Sequence, residues 1–577
     1  MGQLNENDNN KNRKYSNKDK TGIDDRVAAT YAKASKATLV SSLRDPYVKA
    51  FRWSTDRISD EGLICFVTNN SYIDSLPFDG MRREILKDFN YIYSLNLQGD
   101  IRKDSMRDGI PLGEENTVFG LAAMVGVAIT ILVKKQGCID RKIFYKEVNF
   151  RATREEKFSF LEESNSLKNI KWTNICPNED HVWLTENLHS EFNDFLSIGK
   201  KLFQKNKTEN SSIFKEFSPG VMTGRDFITF DFSIIQLSKK INDFCVCYNT
   251  EVHKFLAEKE KKIIDIDSFV DYNNIKWSRN LKQQLKKGKT INFSETLIRE
   301  SLSRPFTKQF LYFDDIIIDE IGKNCLFSPL KDNENKIILV TNHSQLPFLV
   351  QMTNLISSRD VGGRPGHCFP FFTYDKDGTN RQENITDWAL ETFRNHYQDQ
   401  TITKWDIFHY TYAVLHHPHY RQRYAANLKR ELPRIPFAPE FWPFAIAGKR
   451  LAEIHVNYEQ QPEYRLKHLE NKDLPIDWRV EKMRLSKDKT QIKYNEFLTL
   501  TGIPLEVFEY RLGNRSALDW IIDQYQIKTD KRSGIVNDPN RLDDEEYIVR
   551  LIKQVITISL ETVQIVKNLP DLGLPKD

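Results

Sequence analysis

The chain has 577 residues, room for about three to five domains of ordinary size. It is 40% hydrophobic, 28% charged and 12% aromatic, and no run of about 18 apolar residues occurs, which argues against a membrane-spanning helix. Lys and Arg total 84 against 80 Asp and Glu; the net charge of +4 permits a nucleic-acid partner through a local basic stripe without demanding one. The polar start lacks the apolar stretch of a signal peptide, and seven scattered cysteines fit a reducing cytoplasm better than a disulfide framework.

Residues 1–36 are rich in Asn, Lys, Asp and Ser, with almost no apolar residue before Val27. Such a segment cannot bury enough surface to fold alone and reads as a tail or a surface loop. The first packed element expected is a helix over Asp45–Ile58, where Val48, Phe51, Thr55 and Ile58 fall at helical spacing. An apolar strand Leu63–Val67 comes next, then a helix Phe78–Phe89 with Met81, Ile85 and Phe89 on one face, then strands Tyr91–Leu97 and Val127–Val133. Continuous apolar strands alternating with helices point to an α/β sheet buried on both faces. The unit is short for this class, so the expectation is a half-sheet, with Leu63–Val67 and Tyr91–Leu97 exposing an unpaired edge.

Beyond residue 150 the texture changes. Residues 151–217 read as a largely helical, polar connector. Residues 218–375 mix short strands with charged connectors, 385–460 carry aromatic helical patterning, and a helix is expected over Asp544–Leu569. The pattern sets domains at 1–44 (polar loop or tail), 45–150 (half-sheet), 151–217 (connector) and 218–577, the last with two lobes divided near 385.

Several motifs fail on spacing. Gly288–Thr290 reads Gly-Lys-Thr, but a phosphate loop needs a glycine five positions earlier, where Gln283 stands. Cys245 and Cys247 would share one face of a strand, with no second pair at zinc spacing. His416, His417 and His419 crowd Pro418 without a carboxylate, and no Gly-x-Ser-x-Gly elbow occurs. The stretch HYTYAVLHHPHYRQRYAANLKR, His409–Arg430, is more informative. It interleaves Tyr410, Tyr412, Tyr420 and Tyr424 with Arg421, Arg423, Lys429 and Arg430, and no acid comes before Glu431. It fits a nucleic-acid surface, with phosphate contacts from Arg and stacking from Tyr, and equally a helix pair with aromatic core and solvated arginines.

GLICFVTNNSYIDSLPFDGMRREIL, YIYSLNLQGDIRK and NTVFGLAAMVGVAITILVKK together resemble the later half of an amino-group DNA methyltransferase. SPGVMTGRDFITF, SRPFTKQFLYFD, YTYAVLHHPHYRQRYAANLKRELPRIPF and YRLGNRSALDWIIDQYQIKTDKRSGIVNDPNR are similar to the C-terminal specificity region of Type ISP restriction–modification enzymes. Those enzymes join nuclease, helicase-like ATPase, adenine methyltransferase and target-recognition parts in one polypeptide. The resemblance implies the later half of a Rossmann-like methyltransferase sheet followed by a large mixed α+β target-recognition region. It places residues 1–44 just after a catalytic Asn-Pro-Pro-Tyr loop, making the chain an N-terminally truncated one.

The same resemblance implies duplex DNA as partner and N6 of adenine as the modified atom, after extrusion of the base from the helix. S-adenosylmethionine is the cofactor of the full-length family. Neither the Asn-Pro-Pro-Tyr loop nor a glycine-rich cofactor turn occurs in this sequence, so no catalytic or cofactor-binding residue is assigned, and the chain alone is expected to be inactive and to hold no cofactor. Phe119 in NTVFG matches the aromatic that stacks on the flipped base; a ring wedged in the sheet core is the alternative. Expected DNA contacts are Thr223, Arg225 and Asp226 in a Gly-flanked turn, Arg304 and Lys308 at a strand head, Arg421 and Arg423 in the aromatic stretch, and Asn514, Arg515, Lys531 and Arg532 in two polar turns. Two other readings stand: a free-standing specificity protein working with an upstream-encoded chain that carries the helicase and cofactor parts, and an interaction protein without DNA affinity.

Overall fold

The computed structural model describes residues 19, 21–35, 41–101, 106–107, 110–199, 211–260, 265–328, 330, 333–341 and 346–575; most of the polar start lies outside them. The chain divides into two compact units, Met1–Leu188 and His189–Asp577.

In the first unit, helix α1 (Pro46–Thr55) opens with a proline at its first turn, where φ is already suited to a helix and no N–H is missed. Strand β1 (Gly62–Asn69) leads to helix α2 (Asp79–Asp88), whose Met81 and Ile85 are buried, as the period of four requires. Strands β2 (Tyr91–Asn96), β3 (Val127–Lys134) and β4 (Lys142–Glu147) precede helix α3 (Arg154–Ser164) and the short strand β5 (Thr173–Ile175). The sheet order is β1-β3-β2-β4-β5. β3 runs antiparallel to both β1 and β2, while β2 and β4 are parallel. A hydroxyl cluster pins the core: the Tyr72 hydroxyl lies 2.9 Å from Ser94 Oγ and 2.6 Å from Thr130 Oγ1.

Two expectations are corrected. Tyr91–Leu97 is no edge, because β4, whose six residues carry too few apolar positions to announce a strand, pairs with it in register. The edges are β1 and the short β5, and β1 is open on one face: Leu63, Cys65 and Val67 are exposed while Ile64 and Thr68 face inward. Among its described residues, the stretch read as a helical connector holds one α-helix, α3, closed at its start by a reciprocal Thr153–Glu156 cap. Between α3 and the end of the first unit the chain is mainly turns and short strands.

In the second unit, the short strand β6 (Phe230–Asp231) precedes helix α4 (Ile234–Lys259). Leu237, Ile241, Phe244, Tyr248, Val252 and Phe255 line one buried face of α4, so the Cys245–Cys247 segment is helix, not strand, and only Cys245 is buried. Helix α5 (Arg279–Lys286) ends just before the Gly-Lys-Thr sequence, which is its exit turn. Strands β7 (Ile298–Arg304) and β8 (Thr307–Tyr312) form a hairpin. Strands β9 (Ile337–Thr341), β10 (Leu349–Thr353), β11 (Ile356–Ser357) and β12 (His367–Pro370) come after it. One sheet runs β6-β8-β7-β11; a second runs β10-β9-β12 and ends on Ser218–Pro219.

Helices α6 (Lys404–His416) and α7 (Trp442–Val456) build the main core with these strands. Their approach depends on Gly448, where a Cβ would stand 1.8 Å from the His409 carbonyl oxygen. A four-stranded sheet of β13 (Lys467–Glu470), β14 (Arg484–Leu485), β15 (Gln491–Lys493) and β16 (Leu498–Thr501) has the order β13-β16-β15-β14. Helix α8 (Ala517–Gln524), hairpin β17 (Lys528–Thr529)–β18 (Val536–Asn537) and helix α9 (Tyr547–Lys567) complete the unit. Among the described residues no helix is long and apolar enough to cross a membrane.

Burial decides between the two readings of the interleaved tyrosines. Tyr410, Tyr412, Tyr420 and Tyr424 are fully buried, and each hydroxyl has a partner: the Pro436 carbonyl, His455 Nδ1, the Arg434 carbonyl and Glu191. They are core, and no base can stack on them.

Candidate nucleic-acid interface

A cleft in the second unit gathers polar side chains from four separated segments. Arg304 ends β7, where a bulge shifts the register between Leu302 and Arg304 and re-aims the last side chain. The Pro305–Phe306 turn beyond it is held open by an unusual backbone: Phe306 has φ +52°, a left-handed conformation that costs a bulky residue about 1–2 kcal/mol. Burial of its ring against Tyr458 (5.2 Å between centroids) and Tyr510 (6.2 Å) offsets that cost. Gln309 on β8 faces the same cleft, and its carboxamide makes no hydrogen bond among the described residues.

The other wall comes from the end of α8 and the β17–β18 hairpin. Ser516 and Asp519 cap α8 reciprocally, and from its last residue onward Gln524, Gln526 and Lys528 alternate with the buried Tyr525 and with Ile527. That two-residue period is the sequence signal that would have singled them out. Lys528 sits directly opposite Asn537 in the hairpin, and both line the cleft.

Charge is unbalanced here. Asp523 meets Arg515 Nη1 at 2.7 Å and Lys528 Nζ at 3.8 Å, so one carboxylate serves two cations. Burial pushes the Lys528 ammonium below its ordinary value; Asp523 opposes the shift, and the neighbouring Arg304 and Arg515 reinforce it. Arg304 donates to the Ser303 carbonyl at 2.7 Å and pairs with no acid among the described residues. Arg304, Arg515 and Lys528 outnumber the two acids, Asp523 and the cleft-lining Asp226, and an anion placed among the cations relieves their mutual repulsion.

The remaining sequence-derived candidates fall into three groups. Asp226 is exposed on the cleft and accepts a hydrogen bond from the Thr223 hydroxyl; Thr223 is buried. Lys531 and Arg532 are exposed in the loop joining β17 to β18, Arg532 donating to the Tyr272 carbonyl. Half-buried Asn514 lies in the turn before Arg515, its carbonyl accepting from Arg511. Arg225, Arg423 and Lys308 form the second group, cations already engaged within the chain. Arg225 is buried and donates to the Ile317 carbonyl, to Ser278 Oγ at 2.9 Å and to Asp319 Oδ1 at 3.2 Å. The approach is permitted by Gly224, φ +69°, where a Cβ would stand 2.1 Å from Asp319 Oδ2. A side chain so enclosed cannot reach a base edge, which corrects the expectation for Arg225. Arg423 is held by Glu191 and Lys308 by Glu459 at 2.5 Å. Arg421 is half-buried, donates to the Phe348 carbonyl at 2.7 Å and has no carboxylate partner among the described residues.

Phe119 forms the third group and lies in the first unit, apart in the chain from all the others. It is 55% exposed, so the wedged-in-core alternative is removed. Its loop is anchored by α3: Arg154 donates to the Thr117 and Glu114 carbonyls at 3.3 Å, and the buried Lys157 donates to the Asn116 carbonyl. Among the described residues no cluster of three His, Cys, Asp or Glu side chains is placed to hold a metal ion.

The model of the Type ISP C-terminal specificity domain matches residues 212–552, more than half of the chain and the whole of this cleft. The chain belongs to that family. Three solved structures extend the likeness across both units. It is 32% identical to a nuclease-deletion mutant of the Type ISP restriction–modification enzyme LlaGI, in complex with a DNA substrate mimic. The TM-score is 0.83, covering 96% of this chain and 50% of that one. The ATP-dependent Type ISP enzyme LlaBIII, bound to DNA, is 29% identical with TM-score 0.85, covering 98% of this chain and 36% of its own. A DrdV–DNA complex is 34% identical with TM-score 0.84, covering 99% and 56%. The chain thus spans little more than half, or less, of each. No curated protein sequence matches it.

Proposed function

We propose that this chain is the target-recognition part of a Type ISP-like adenine-specific DNA methyltransferase system, and that it grips duplex DNA at the Arg304–Arg515–Lys528 cleft. The observation that carries the reading is the gathering of Arg304 and Arg515 about Lys528, three cations against the two acids Asp523 and Asp226, in a specificity-domain family whose similar solved structures hold DNA. Phosphate oxygens are the acceptors such donors suit, and phosphate contacts fix register on the duplex.

On this reading the first unit is the later half of the methyltransferase sheet. Its support is the reversed strand β3 between parallel β1 and β2, together with the open edge at β1. Phe119, exposed on an anchored loop, offers a π face to an extruded base. S-adenosylmethionine would not be held by this unit alone. At the end of β1 the polar side chains are spent on neighbours: Asn69 accepts from the Ser71 N–H at 2.8 Å, and the Asn70 amide donates to Asn96 at 2.9 Å. The sequence has neither the glycine-rich cofactor turn nor the Asn-Pro-Pro-Tyr loop, so no chemical step is assigned to this chain, which would rely on a partner chain with the cofactor and helicase parts.

Fluorescence anisotropy with a mixed-sequence duplex across a salt series tests the proposal. Affinity should fall steeply with salt, and Arg304→Ala with Lys528→Ala should reduce the log–log slope by about one unit per lost phosphate contact. Salt-independent binding, or an unchanged slope in the double variant, overturns it.

A further inference from the structure

The cleft carries more than charge. Carboxamides from separate elements, Gln309 on β8 and Gln526 after α8, share it with the phenyl rings of Phe227 and Phe232, both only partly buried. The Gln309 carboxamide has no hydrogen-bond partner among the described residues, and Gln526 uses only its Nε2, donating to the Asp523 carbonyl at 2.7 Å. Unspent carboxamides beside phosphate-seeking cations are costly to leave unpaired once a partner has excluded water. In the major groove, adenine offers an N7 acceptor and an N6 donor, the complement of a carboxamide, and its thymine partner offers a methyl group that an aromatic ring can cover.

Resting on the proposed DNA reading, we infer that Gln309 and Gln526 are specificity-determining residues that read an A·T pair from the major groove, with Phe227 or Phe232 against the thymine methyl. Arg304 and Lys528 then set affinity, and the carboxamides set sequence. The same cleft divides the two roles among different side chains.

The test begins with selection of duplexes from a randomised library by the full chain. In the tightest-binding duplex each A·T pair is replaced in turn by G·C, each adenine by 7-deazaadenine, and each thymine by uracil. One A·T position should cost about tenfold to a hundredfold when replaced by G·C. The same position should respond to loss of N7 and of the methyl group. Gln309→Ala with Gln526→Ala should flatten discrimination there while keeping the salt slope; Arg304→Ala should weaken all duplexes alike. Gln309→Glu, which keeps size but loses the donor, should shift preference toward cytosine at that position. Urea midpoints confirm that each variant is folded. Salt-dependent binding whose base preferences are the same in wild type and glutamine variants overturns this inference and leaves the DNA reading standing. Absence of salt-dependent binding in the wild type overturns both.

Discussion

Arg423 reaches Glu191 through two guanidinium nitrogens, Nε at 3.0 Å and Nη2 at 2.8 Å from the same carboxylate oxygen, and so ties the segment around residue 191 to the helical turn at 418–423. The Arg423 side chain is 7% exposed. Arg423→Ala should lower stability by about 2 kcal/mol, between the values typical of exposed and buried pairs, and leave the salt dependence of DNA binding unchanged. Urea unfolding beside anisotropy checks both halves. A reduced salt slope would restore Arg423 as a phosphate contact.

The same pair sets a pH dependence. Burial pushes the Glu191 carboxyl up, but the Arg423 guanidinium outweighs it and holds the group below the ordinary glutamate value. A depressed folded-state value means the unfolded chain takes up the proton first. The stabilisation is therefore full above about pH 4.3 and is lost as pH falls through the lower folded-state value. The advantage of wild type over Glu191→Gln, measured by urea midpoints between pH 6 and 3, should shrink in that window.

A larger acid sensitivity should come from histidines buried in the main core. Burial depresses His416 to about 3 and His409 to about 4, and holds His455, beside Tyr412 at 2.6 Å and Thr562 at 2.9 Å, well below the usual range. These rings stay neutral when folded but protonate in the unfolded chain below about pH 6.5. Stability should be full above that value and fall toward pH 4 by up to about 1.4 kcal/mol per pH unit for each ring. His455→Gln should flatten the dependence in urea titrations; an unchanged slope would mean the ring is accessible to protons in the folded state.

Arg225 should matter for folding alone. Arg225→Ala strands Asp319 beside Ser278 without its cation, at a cost of about 3–5 kcal/mol. Arg225→Met with Asp319→Leu should recover much of that loss, and thermal unfolding of the three proteins reads the difference. Equal melting temperatures would exclude the buried pair as a structural lock.

The open edge of the first unit predicts self-association. Leu63 and Val67 lie exposed on β1, whose outer side has no strand partner among the described residues. Unpaired apolar edges template association. Sedimentation velocity should show concentration-dependent self-association that Leu63→Lys with Val67→Lys suppresses; identical sedimentation of the two proteins would count against a sticky edge.

Long apolar periods were legible in the sequence. The elements α1, β1, α2, β2, β3 and α9 all lie where spacing places them, within a few residues. Short or polar elements were not: β4, β5 and the β17–β18 hairpin carry too few apolar residues to show a period, and α4 was obscured by its Phe-Cys-Val-Cys run. Arg304 at the cleft and Arg515 beside Asp523 stand among the sequence candidates because charge beside a turn is visible in one dimension. Gln309 and Gln526 were missed because neutral amides carry no such mark, and only the third dimension brings β8 beside the end of α8. Arg225, Arg423 and the interleaved tyrosines misled for the converse reason, since their partners Asp319, Glu191 and His455 are remote in sequence.

The Gln309 side chain is tied to nothing among the described residues, whereas Arg225, Gly224 and Gly448 are each tied to a neighbour that leaves no room for change. Substitution at such an untethered surface position alters folding free energy by only about 0.5 kcal/mol either way. The frame and the letter proposed for residue 309 can therefore vary separately: on the reading of Gln309 as a base contact, a lineage can exchange that side chain, acquire a different target and keep a stable chain, whereas a change at residue 526 also gives up its hydrogen bond to the Asp523 carbonyl.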